Sequence, residues 1–78
     1  MLLYLETLDT VKDLCKICDT YRDKMDIDVT YGRYTIDGCS VLGVASLLGN
    51  VVGIKPNTDD GKKIECFYEE IKNIGAYN

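Results

Sequence analysis

Hydrophobic residues recur at two different periods along the chain, and the points where the period changes divide it into seven segments. Leu3 and Leu5 alternate with Tyr4 and Glu6, so residues 2–7 predict a short strand with one face turned inward. Val11, Leu14, Cys15, Cys18 and Tyr21 then return at three- and four-residue spacing, while Lys12, Lys16, Asp19, Arg22 and Asp23 lie largely off that stripe. This predicts a helix from about Thr10 to Asp23, capped by Asp9 or Thr10, with Asp13 three residues beyond Thr10 and an acidic first turn suited to the helix dipole. Alternation resumes over Asp26-Ile27-Asp28-Val29-Thr30-Tyr31 and again over Tyr34-Thr35-Ile36-Asp37. With Gly32-Arg33 as the turn, residues 26–37 form a hairpin, and Gly38 breaks its second strand.

The stretch from Cys39 to Gly49 is almost free of charge. Ser40 reads as an N-cap, because a serine hydroxyl can accept from an orphan N–H of the first turn, and Gly49 as the left-handed stop. Helical spacing puts Val41, Val44 and Leu48 on one face, with Val44 and Leu48 inward, and spreads Leu42, Ala45 and Leu47 around the remainder. So much apolar surface on about two turns leaves two alternatives open, a fully buried helix or one exposing a docking patch.

Beyond it, residues 50–55 predict a fourth strand, ended by Pro56 because proline cannot donate to a ladder. Asn57-Thr58-Asp59-Asp60 supplies turn and cap chemistry, after which Ile64, Phe67, Tyr68, Ile71 and Ile74 keep helical spacing up to Gly75. The order is strand, helix, strand, strand, helix, strand, helix, with short connections. Helices joined this way must pack on one face of a four-stranded antiparallel sheet, so the expected class is α+β, an open-faced βαββαβα sandwich. Seventy-eight residues give one domain over 1–78.

Charge narrows the partners. Thirteen acidic against nine basic residues give a net charge of −4, which argues against nucleic acid, since phosphate-backbone binding relies on Lys and Arg. No apolar run reaches the roughly 20 residues that span a bilayer, and Met1-Leu2-Leu3-Tyr4 has no positive leader, so the expectation is a cytoplasmic protein with no membrane partner. A chain that is 46% hydrophobic has a core and does not need disulfide staples, so its four cysteines are expected to be reduced.

The chain contains no histidine, which excludes Ser-His, Cys-His and His-metal chemistry. Cys15-Lys16-Ile17-Cys18 is a C-x-x-C, yet it lies inside a helix on the apolar stripe, away from the helix start that lowers a thiol pKa. Two core thiols are the plainer reading; a redox pair or a zinc site joined by Cys39 and Cys66 is the sharper one. Asp59-Asp60 and Glu69-Glu70 read as a helix start and a solvated face rather than acid/base pairs, and neither has a neighbouring nucleophile. The dispersed glycines spell no phosphate loop, and the six tyrosines lack basic interleaving. No cofactor and no metal are expected.

Ser40-Val41-Leu42-Gly43-Val44-Ala45-Ser46-Leu47 resembles the S-I-M-G-V-M-S-L helix of the HPr phosphocarriers of the bacterial sugar phosphotransferase system. Residues 26–31 are similar to that family's second strand, the spacing from Tyr31 to Ser40 fits without a gap, and Phe67-Tyr68-Glu69-Glu70 followed by Gly75 is similar to the end of its last helix. The family's element order is also βαββαβα. Its active site, G-x-H-A-R-P at the start of the first helix, has no counterpart here, where the chain reads Thr7-Leu8-Asp9-Thr10-Val11-Lys12.

The resemblance therefore implies a member without the phosphocarrier histidine, not an enzyme, acting in sugar-transport regulation through a protein partner. It matches Ser40 to the family's regulatory serine, phosphorylated by a dedicated kinase, and implies a kinase or transcription regulator as partner. It matches Val41, Leu42 and Ala45 to the partner-binding patch, with Ala45 in place of a large methionine. Ser40 as a plain N-cap stands beside this. So do two other classes of function: a small thiol redox or metal-binding protein using Cys15 and Cys18, and a purely structural or oligomeric module.

Overall fold

The structure, a computed structural model, describes residues 1–75; Tyr77, the last of the six tyrosines, lies outside them. Its elements run β1 (Leu2–Tyr4), α1 (Leu8–Tyr21), β2 (Asp26–Tyr31), β3 (Tyr34–Asp37), α2 (Val41–Ala45), β4 (Val51–Asn57) and α3 (Gly61–Lys72). The four strands form one antiparallel sheet in the order β1-β4-β2-β3. This is the expected α+β βαββαβα arrangement.

Strand alternation decides which face the helices cover. Leu3 pairs with Val52 and Val29 with Ile54, and these side chains, with Ile27, are buried against the helical layer. Their neighbours in sequence, Leu2, Tyr4, Val51 and Lys55, are exposed on the other face. From the helices come Val11, Leu14, Cys15, Cys18 and Tyr21 of α1, Val44 of α2, and Phe67 and Ile71 of α3. The whole predicted α1 stripe is thus core. Tyr21 and Phe67 meet edge to face with centroids 5.5 Å apart, which ties α1 to α3.

The boundaries of α1 differ from expectation. Its N-cap is Thr7, not Asp9 or Thr10: Thr7 is extended (φ −135°, ψ 168°) and its Oγ1 accepts from the Thr10 N–H at 3.4 Å. Leu5 bonds to the segment between α2 and β4, donating to Asn50 O at 3.0 Å and accepting from the Gly49 N–H at 2.7 Å, and α1 begins three residues later. Strand β1 is correspondingly three residues long, and Asp9 falls in the first helical turn. At the other end, Tyr21 O accepts from both Lys24 and Met25, which closes the helix two residues sooner than predicted.

Pro56 lies inside β4, opposite Ile27, and the strand continues to Asn57. Ile54 donates its N–H across to Met1 O, so two residues later the imino nitrogen of Pro56 faces the same side, past the last β1 pairing. No ladder bond is lost there, and the rule that excludes proline from paired positions is respected within the strand. The two-residue loop of the β2-β3 hairpin takes positive φ only at Gly32 (58°), so Arg33 serves where Asn-Gly loops carry a second flexible residue.

Candidate functional site

Helix α2 is five residues long, capped at its start by Ser40 (φ −86°, ψ 95°), whose Oγ accepts from the Gly43 N–H at 3.4 Å. The approach to the cap is fixed by Asp37: its Oδ1 accepts from the Cys39 N–H at 2.9 Å and its carbonyl from the Ser40 N–H at 2.9 Å. Gly43 makes the packing possible. A Cβ there would lie 2.7 Å from Ile36 Cγ2 and 3.0 Å from Ser40 Oγ, so a side chain would displace both the β3 contact and the capping hydroxyl.

After Ala45 the backbone tightens. Leu47 N donates to Val44 O and Leu48 N to Ala45 O, three residues back, and Gly49 ends the turn at φ 87°. Three residues per turn bring Leu47 under Val44, whereas an α-helix would have brought Leu48 there. The expectation that Leu48 faces inward is therefore corrected: Leu47 is 7% exposed and Leu48 44%.

On the outer side, Ser40 is exposed, Val41 is 46% exposed, Leu42 is 87% exposed and Ala45 is half-buried. Leu8, at the start of α1, is a further exposed apolar residue. Of the two alternatives for this helix, the fully buried one is excluded.

A groove of about 340 Å3 runs from Val41 along α1, lined by Lys12, Cys15, Lys16, Asp19 and Cys39. It was not legible as a unit in the sequence, although Leu8, Lys12 and Lys16 share one α1 face at four-residue spacing.

Cys15 and Cys18 are buried in the core as the stripe predicted. Burial pushes both thiols up, Cys18 to about 12, with Cys39 the next cause for each. Cys39, half-buried, is raised by burial and by Asp37. Three thiols therefore gather where α1 meets the loop before α2. A Cβ on Gly38 would lie 2.8 Å from Cys18 Sγ, which explains the glycine in front of Cys39. The fourth, Cys66, is exposed on α3 and stands apart from them. Among the described residues no group of three or more Cys, Asp or Glu side chains is arranged to hold a metal ion.

The acidic pairs take structural places. Asp60 Oδ1 caps α3, accepting from the Lys62 and Lys63 N–H groups at 3.0 and 3.3 Å, while Glu69 and Glu70 are exposed. No helix among the described residues is long and apolar enough to cross a membrane.

No family model matches the sequence, and no curated protein matches it. Three-dimensional comparison defines the class: the fold is that of the HPr proteins. A similar solved structure is the crystal structure of HPr-C-His from Thermoanaerobacter tengcongensis, with a TM-score of 0.69 and 16% sequence identity over 100% of this chain and 96% of that one. At that identity the likeness is one of fold.

Proposed function

We propose that this chain is a non-catalytic HPr-like module, lacking the phosphocarrier histidine, that binds a protein partner through α2 and is regulated by phosphorylation of Ser40. The supporting observation is the pairing of an exposed serine cap with exposed Val41 and Leu42 on a helix otherwise anchored by Val44 and Leu47. A phosphate on Ser40 would lie beside first-turn N–H groups that have no intrahelical acceptor, so the fold can take the charge without unravelling. Lys12 and Lys16, in the groove that begins at Val41, add positive charge on the same side of the molecule. The modification would change what docks on the adjacent apolar residues. The partner is a serine kinase or a transcription regulator, and the setting is cytoplasmic sugar-transport control.

Without histidine, the chain has no acceptor for the family's phosphohistidine step. Incubation with a phosphoenolpyruvate-dependent phosphotransferase enzyme should leave no acid-labile phosphate on it. With the family's serine kinase and ATP, mass spectrometry should find a single acid-stable phosphate at Ser40, absent from Ser40→Ala. A labile phosphate in the first assay, or an unmodified Ser40 beside a control carrier that is fully modified, overturns the proposal.

A further inference from the structure

A second groove, of about 260 Å3, lies between the C-terminal end of α1 and the first turn of α3, lined by Tyr21, Lys24, Lys62, Lys63 and Cys66. Three of the nine basic residues of a chain with net charge −4 gather there, from two different helices. Local structure accounts for them only in part. Lys62 and Lys63 occupy the first turn of a twelve-residue helix, where the dipole favours acids, and that turn contains none. Asp60 is committed to the cap, and its other oxygen stands 3.9 Å from Lys63 Nζ, a distant pairing. Lys24 and Lys62 enter no ion pair among the described residues; Lys24 Nζ instead lies 5.6 Å from the centre of the Tyr21 ring.

The groove is lined by Tyr21, Cys66 and three lysines, so it brings apolar surface and cationic side chains together. Three mobile ammonium groups suit a compact dianion such as a phosphate monoester better than a planar carboxylate, for which arginine forks are the matched partner. The volume falls just under the usual range for small-molecule pockets, about 300–1,000 Å3, and suits a phosphate with one ring. We infer that this groove binds a small phosphate monoester carrying a single apolar ring, the phosphate held by Lys24, Lys62 and Lys63 and the ring covered by Tyr21 and the lysine stems. The inference goes beyond the Ser40 reading and does not depend on it.

Titration of the full chain with phenyl phosphate, followed by amide NMR shifts at low ionic strength, tests it. Saturable shifts are expected at Tyr21, Lys24, Lys62, Lys63 and Cys66, weakening as salt is added. The double variant Lys24→Glu/Lys62→Glu should bind about tenfold more weakly or worse. It should also keep its fold, because an acid at position 62 suits the start of α3. Inorganic phosphate should shift the same amides with lower affinity. Shifts spread equally over Lys12, Lys16, Lys55 and Lys72, undiminished binding by the folded double variant, or equal affinity for inorganic phosphate would each overturn the inference.

Discussion

Helices α1 and α2 pack against each other on the same sheet, but they distribute their apolar residues differently. In α1, the stripe of Val11, Leu14, Cys15, Cys18 and Tyr21 is buried throughout, and the charged residues face water. Packing accounts for nearly all of its composition, Leu8 at the first turn being the exception. In the α2 segment, Val44 and Leu47 are buried while Val41, Leu42 and Leu48 are exposed. Two inward residues suffice to seat so short a helix. The outward ones lie outside the core and are the residues on which the proposed docking role rests.

The sharpest way to break this comparison is a pair of adjacent truncations. Leu47→Ala should destabilise by about 2–5 kcal/mol, the range for emptying a core leucine site, whereas Leu48→Ala should stay within about 1 kcal/mol. Urea denaturation of both variants checks it. Equal losses would mean that α2 continues as a regular helix and that inside and outside have been misassigned.

On the α1 side, Cys18→Ser should cost about 1–3 kcal/mol, because it puts a more polar hydroxyl in place of a thiol fully buried in the core. The thiols also carry a pH signature. Cys18 is raised from an ordinary value of 9.0 to about 12, and Cys15 and Cys39 are raised with it. Tyr21 moves the same way, to about 12, chiefly through its hydrogen bond to Glu70. A raised folded-state pKa adds stability that is whole below the unfolded value and lost as pH climbs through the folded one. Stability should therefore hold to about pH 9 and fall steadily towards pH 12. Replacing Cys18 by Ala should flatten that fall in thermal melts taken across the window. A profile flat in the parent protein would contradict the burial of these thiols.

Substitution at Ser40 should have a smaller effect. Ser40→Ala should cost about 0.5–2 kcal/mol through the lost cap, while Ser40→Asp keeps an acceptor for the Gly43 N–H, adds a charge the helix start favours, and should melt no lower than the parent.

How much of this was legible in the sequence follows from the range over which each feature is decided. The α1 stripe, the strand alternation and the positive-φ glycine at 49 depend on residues a few positions apart, and they read correctly. Thr7 as cap, the inward turn of Leu47 and the place of Pro56 depend on contacts between segments. Leu5 bonds to the loop after α2, and the Pro56 nitrogen is acceptable only because β1 ends where it does. The candidate site divides the same way. Ser40 could be read as a cap from local pattern, and the roles given to Ser40 and Leu42 came from the resemblance to the HPr family, but the approach of Cys39 to Cys15 and Cys18, and the two lysine-lined grooves, exist only once α1 has neighbours.

The smallest expected change in stability belongs to Leu42→Glu, and it carries the most direct test. Leu42 is 87% exposed, so the variant should unfold within about 0.5 kcal/mol of the parent protein. If α2 is a docking surface, the same substitution should slow Ser40 phosphorylation by the serine kinase about tenfold or more, since a charge in the centre of an apolar contact is left without water or partner. The decisive measurement is the ratio of kcat/KM for kinase action on the two folded proteins. A fall of that size at unchanged stability is the predicted result; a ratio near one would contradict the claim that the exposed face of α2 exists to bind.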